Sequence, residues 1–112
     1  MQDFAKHEQF EMEVLENLHR RKILPKLIFI GGTMLRLCYG LDRYSLDLDF
    51  WLYKKDDEQK VFNSIQKMVI EDYIVKDIYN KRFTMLFEFK SSKYPRSLKI
   101  EIRKKEYKKP VK

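Results

Sequence analysis

Between Ser45 and Tyr53 the sequence alternates cleanly, with Leu46, Leu48, Phe50 and Leu52 of one parity and Ser45, Asp47, Asp49 and Trp51 of the other. A period of two belongs to a β-strand with one covered face and one open face. The segment therefore demands a sheet with apolar cover on one side. The same pleat sets Asp47 and Asp49 side by side on the open face, their Cα atoms about 6.6 Å apart.

The other elements follow from the same kind of pattern. Residues 3–22 carry Phe10, Val14, Leu15 and Leu18 at helical spacing, with Pro25 just beyond. Leu27-Ile28-Phe29-Ile30 is a short continuous apolar run that reads as a strand covered on both faces, and Gly31-Gly32 breaks it. After Thr33, Met34, Leu37, Cys38 and Leu41 stand at i, i+3, i+4 and i+7, which predicts a helix that Gly40 ends. Asp56-Asp57 opens a helix whose inner face is Val61, Phe62, Ile65, Met68 and Val69. Strands are predicted at 73–79 and 82–90, joined by a hairpin turn at Asn80-Lys81, the second with Phe83, Met85, Phe87 and Phe89 on one face. A last strand at 97–103 alternates Leu98, Ile100 and Ile102 with Lys99, Glu101 and Arg103. The order α-β-α-β-α-β-β-β gives an α/β (α+β) fold, a mixed sheet of about five strands with helices packed on one face.

Length and charge narrow the class. The 112 residues predict a single domain over 1–112, with a basic tail from about residue 103. Hydrophobic residues are 44% and charged residues 37%, which fits a folded rather than a disordered chain. No apolar run approaches the roughly 20 residues of a membrane span, and Met1–Glu8 lacks the apolar core of a signal peptide. One cysteine, Cys38, excludes an internal disulfide, so a reducing cytoplasm is the expected location. The net charge of +7 favours polyanionic partners. Six of the last ten residues are basic, which suits either a solvated terminus or an RNA-guiding arm.

Carboxylates at period-two spacing can converge on magnesium, a hard cation that takes oxygen ligands and substrate phosphates. Glu101, mid-strand on the polar face, is the best third acid, and three such acids make a two-metal site feasible. The bland alternative for Asp47 and Asp49 is the open polar face of a half-solvated sheet. Gly31-Gly32-Thr33 tilts the balance, because glycines let the backbone approach a phosphate and a helix start offers free N–H groups to it. Arg43 and Ser45 share the aspartates' parity; Arg43 suits either a triphosphate contact or a surface ion pair. Lys99 suits either phosphate neutralisation or balance of the acids. Trp51 suits base stacking or packing. His7 and His19 lack the neighbours a zinc site needs.

These residues resemble a family. Gly31-Gly32-Thr33-Met34-Leu35, Tyr39-Gly40-Leu41, Arg43-x-Ser45-x-Asp47-Leu48-Asp49-Phe50 and Lys99-Ile100-Glu101-Ile102 are similar to the AbiEii-type nucleotidyltransferases. Those belong to the DNA polymerase β-like superfamily and include toxins of AbiE toxin–antitoxin systems. The resemblance implies the nucleotidyltransferase fold and transfer of NMP from an NTP to an RNA (tRNA-like) or protein acceptor. Asp47, Asp49 and Glu101 would be catalytic and bind Mg2+, while Gly31, Gly32, Thr33, Arg43, Ser45 and Lys99 would bind the nucleotide. A cognate antitoxin is the implied partner, and no membrane is involved. Family members normally continue into a helical region with no counterpart in this sequence, so the resemblance implies either the N-terminal catalytic core of a longer protein or a minimal form of the family. The alternative is a non-catalytic domain of the same fold that binds RNA or a partner protein.

Overall fold

The computed structural model describes residues 2–30 and 47–104, with side chains over 5–30 and 48–104. The elements are α1 (Gln2–Arg20), β1 (Leu27–Ile30), β2 (Asp47–Leu52), α2 (Glu58–Asp72), β3 (Ile74–Asn80), β4 (Thr84–Lys90) and β5 (Leu98–Arg103). The helix expected over 33–41 lies outside the described residues, as does the start of the alternating strand at residues 45–46.

The strands form one sheet in the order β1-β2-β5-β4-β3, which puts β1 at an edge; Ile28 is 46% exposed there, so this strand is not covered on both faces as its apolar run suggests. Only β2 and β5 run parallel; the β1–β2, β5–β4 and β4–β3 pairs are antiparallel. A parallel pair needs a long crossover, and here α2 and the β3–β4 hairpin supply it. The register places Leu48 and Phe50 of β2 opposite Ile100 and Ile102 of β5, which face Phe87 and Met85 of β4. All six are fully buried. Both helices cover this one face. Phe10 of α1 meets Phe89 edge-on at 5.9 Å, and Phe62 of α2 lies 5.3 Å from Phe87. Burying a large apolar side chain contributes about 1.5–3 kcal/mol, so the alternating pattern of β2 and β5 is enough to fix which side the helices take.

α1 ends two residues earlier than its periodicity suggests, through a device that sequence patterning hides. Lys22 has φ 63°, the left-handed region. Around it, Ile23 N–H donates to the Leu18 carbonyl (2.9 Å) and Lys22 N–H to the His19 carbonyl (3.0 Å). This is a Schellman stop with a lysine where glycine is usual, and buried Leu18 and Ile23 supply its apolar contact.

The ends of the helices are tied by polar groups. Arg21 bonds to both Glu71 and Asp72 at 3.1 Å, and Asn17 donates to Asp72 at 2.9 Å. Two acids in the last turn of α2 oppose its dipole, and Arg21 offsets them. Farther along α1, Glu13 accepts from Tyr73 (3.0 Å), Tyr94 (3.1 Å) and Lys93 (2.9 Å). Burial pushes Glu13 up, but these three donors more than reverse it and hold the carboxyl below its usual range. Burial, reinforced by donation to Glu13, pushes the Tyr73 hydroxyl up to about 12. The β4–β5 loop is thereby pinned to α1.

The hairpin corrects the sequence reading. Asn80 is the last residue of β3, and reversal takes Lys81, Arg82 and Phe83, closed by Lys81 N–H to the Thr84 carbonyl at 2.8 Å. Phe83 therefore leaves the pleat and stands 66% exposed rather than joining Met85, Phe87 and Phe89 in the core. The helix expected to open at Asp56-Asp57 begins as a 3-10 turn over Lys55–Asp57 and becomes α-helical at Glu58.

Candidate acidic site on the open face of the sheet

Residues of the opposite parity to the core form rows across the other face of the sheet. One row runs Asp47–Lys99–Glu88–Asp77. Its signs alternate from Asp47 to Glu88, and Glu88 also accepts from Ser97 Oγ (3.3 Å) and lies 3.8 Å from Lys76 Nζ. That is how an ordinary solvated sheet face arranges charge. Lys99 is thus the cross-strand partner of two acids. The next row runs Ile30–Asp49–Glu101–Leu86–Tyr79. Here two carboxylates are direct neighbours on adjacent strands, with Cα atoms about 4.8 Å apart. Like charges placed directly opposite are destabilising. Both side chains are half-buried.

Asp47 occupies the first position of β2, two residues before Asp49 on the same parity; its side chain lies outside the described residues. So do Gly31, Gly32, Thr33, Arg43 and Ser45. Ile30, the cross-strand partner of Asp49, is followed in the chain by Gly31. Trp51 is on the open face opposite Arg103 and half-buried. His7 is buried on α1 beside Glu11 at 3.6 Å, and His19 is exposed. Among the described residues no group of three or more His, Cys, Asp or Glu side chains is gathered for a metal ion. Asp49 and Glu101 nonetheless offer the oxygen-only donor set a hard divalent cation takes, and they fit magnesium in kind.

Glu101 faces two ways. Besides Asp49 on one side, it lines an open cleft of about 450 Å³ together with Tyr79, Lys81, Arg82, Phe83 and Thr84. Lys81 Nζ sits 4.5 Å from the Tyr79 ring centroid and Arg82 Cζ 5.2 Å from that of Phe83. Sequence reading missed these four, because Tyr79 read as the end of one strand, Lys81 as half of a two-residue turn and Arg82-Phe83 as the start of the next strand. The signal was present: two cations and an aromatic at a chain reversal. A larger open cleft, about 590 Å³, runs along α1 past Glu8, Met12, Glu13 and Glu16. Of its acids, Glu13 is already taken up by Tyr73, Tyr94 and Lys93. No helix among the described residues is long and apolar enough to cross a membrane.

The family model of the nucleotidyl transferase AbiEii toxin, type IV toxin–antitoxin system, matches residues 13–108. Two solved structures from Helicobacter pylori share the fold. One, described as a candidate nucleotidyltransferase, superposes with a TM-score of 0.59 at 23% identity over 98% of this chain and 49% of that one. The other, JHP933, gives 0.58 at 23% identity over 98% and 47%. The chain spans about half the length of these structures, and at such identity the likeness is one of fold. No curated protein matches the chain. The match over residues 13–108 takes in most of the chain: the chain belongs to the AbiEii nucleotidyltransferase toxin family of type IV toxin–antitoxin systems.

Proposed function

We propose that this chain carries the catalytic core of a magnesium-dependent nucleotidyltransferase that moves NMP from an NTP to an RNA (tRNA-like) or protein acceptor, acting in the cytoplasm and held in check by a cognate antitoxin. The reading is supported above all by the adjacency of Asp49 and Glu101 on the parallel β2–β5 pair. Like charges directly opposite each other cost stability, and a cation bound between them would offset that cost.

In this reading Asp47, Asp49 and Glu101 hold Mg2+, and Gly31, Gly32 and Thr33 cradle the triphosphate through backbone N–H groups. Arg43, Ser45 and Lys99 neutralise and orient it. Bound magnesium supplies charge compensation at the phosphates. The acceptor oxygen forms a bond to the α-phosphorus while the bond to the β-phosphate oxygen breaks. Pyrophosphate leaves, and the acceptor's proton passes to one of the carboxylates. Rate then comes from positioning and from compensating charge as it develops.

The test is calorimetric titration of each NTP with and without magnesium, comparing the protein with its Asp47→Asn/Asp49→Asn variant. Magnesium-dependent binding that the double substitution removes is the expected result. Equal, metal-independent binding by both would leave a non-catalytic RNA- or protein-binding domain as the better account.

A further inference from the structure

We infer that Trp51 and Arg103 seat the base of the incoming nucleotide: the Trp51 ring stacks on it and the Arg103 guanidinium donates to its edge. This rests on the nucleotidyl-transfer reading and deepens it by naming what holds the nucleoside. The order of the rows on this face of the sheet is the first argument. Asp47–Lys99–Glu88–Asp77 is charged throughout, and the row of the paired acids, Asp49 and Glu101, comes next. One step farther along both β2 and β5 lies Ile28–Trp51–Arg103–Thr84, which holds no acid. A nucleotide has its parts in the same order: a charged triphosphate, the α-phosphate where the metal acts, then a flat ring with polar edges. Successive rows are about 6.6 Å apart, close to the reach of a ribose between its phosphate and its base. With magnesium at Asp49 and Glu101, a base laid toward Asp47 meets only charged groups. Laid the other way, it meets an indole.

The state of these side chains is the second argument. Other cations are committed to acids: Lys104 to Glu58 at 2.8 Å, Lys76 to Glu88 at 3.8 Å, Lys93 to Glu13 at 2.9 Å. Arg103 is exposed and makes no side-chain hydrogen bond or ion pair among the described residues, and its cross-strand neighbours, Trp51 and Thr84, carry no charge. Trp51 is half-buried, so part of its indole meets solvent, and Ile28 opposite it is 46% exposed. The two side chains divide the task. Every base has a face to stack on, so stacking on Trp51 adds affinity whichever base is present. A guanidinium offers donors only, so Arg103 responds to where a base carries its acceptors. Trp51 sets how tightly the nucleoside is held, and Arg103 sets which one is preferred.

Trp51 is the single tryptophan of the chain, so the wild-type protein carries its own probe. Tryptophan emission and calorimetry are followed as each of the four NTPs is added with magnesium, and as inorganic tripolyphosphate, a ligand with no base, is added in the same way. The NTPs are expected to quench emission along their calorimetric binding curves, and tripolyphosphate to bind without quenching. Trp51→Ala should weaken all four NTPs about ten-fold and leave tripolyphosphate unchanged, while Trp51→Phe, which keeps a ring, should recover most of the loss. Arg103→Ala, at an exposed position, should change the ratios of affinity among the four NTPs. Emission that responds equally to tripolyphosphate, a Trp51→Ala protein that binds NTPs like wild type, or an Arg103→Ala protein with wild-type ratios would each overturn the inference. If NTPs bind with magnesium and wild-type emission does not change, the inference falls alone. If neither NTPs nor tripolyphosphate bind with magnesium, the nucleotidyl-transfer reading falls with it.

Discussion

Glu13 and Glu101 are both half-buried glutamates with aromatic and basic side chains close by, and the fold treats them in opposite ways. Glu13 receives two tyrosine hydroxyls and an ammonium, and its carboxyl is held below the usual range as a result. The Glu101 carboxylate makes no hydrogen bond or ion pair among the described residues, and its cross-strand neighbour on β2 is another acid. A carboxylate given a full set of donors is spent on holding the loop to the helix. A carboxylate set beside another retains its capacity to bind something from outside. On the proposed reading, the comparison separates a charge used to hold the structure from one kept for a ligand, and both side chains are half-buried.

The largest effects should fall on chemistry. Glu101→Gln or Asp49→Asn should lower transfer of labelled NMP at least about 100-fold, on the scale of removing one group that compensates developing charge. Glu13→Gln should leave that rate unchanged at a temperature where the protein is folded. A rate insensitive to Glu101→Gln would break the comparison by making Glu101 an ordinary surface acid.

Stability should respond the other way round. Glu13→Ala removes the acceptor of the Tyr73 and Tyr94 hydroxyls, while the exposed Lys93 ammonium simply returns to water, and about 1–2 kcal/mol of unfolding free energy should be lost in urea titrations. The pH dependence follows from the signs. Glu13 has a folded pKa below its ordinary 4.5, so its contribution is present above that value and drains away as pH falls through the folded pKa. Tyr73 is raised from 10.0 to about 12. Its contribution is intact below pH 10 and is lost as pH rises through about 12. Thermal melts should therefore weaken at both extremes, and Glu13→Gln should flatten the acid limb.

Much of this was legible in the chain, for an identifiable reason. The strands of β2 and β5 announce themselves because burial on one face forces strict alternation, and the same alternation puts Asp49 and Glu101 on the other face. Their adjacency was not legible, because strand register is set by pairing across 45 intervening residues. The turn at Lys81–Phe83 was misplaced by one residue, since an Asn-Lys pair and a three-residue reversal look alike in sequence while Phe83 ends on opposite sides of the outcome. The stop at Lys22 was invisible because a lysine gives no hint of a positive φ. The glycine segment, Arg43 and Ser45 lie outside the described residues.

The smallest expected effect is the most discriminating. If Asp49 and Glu101 repel each other in the metal-free protein, Glu101→Gln should stabilise it by a few tenths to about 1 kcal/mol, the range of cross-strand charge pairs. Such a gain is unusual for a half-buried position, where most substitutions cost stability. Magnesium and NTP at about 100 times their dissociation constant should raise wild-type stability by roughly 2.7 kcal/mol and leave the variant where it was, so the order of the two proteins in a melt should invert on adding ligand. A loss of stability in the apo variant would mean that Glu101, like Glu13, is held by donors, and the division between the two glutamates would no longer stand.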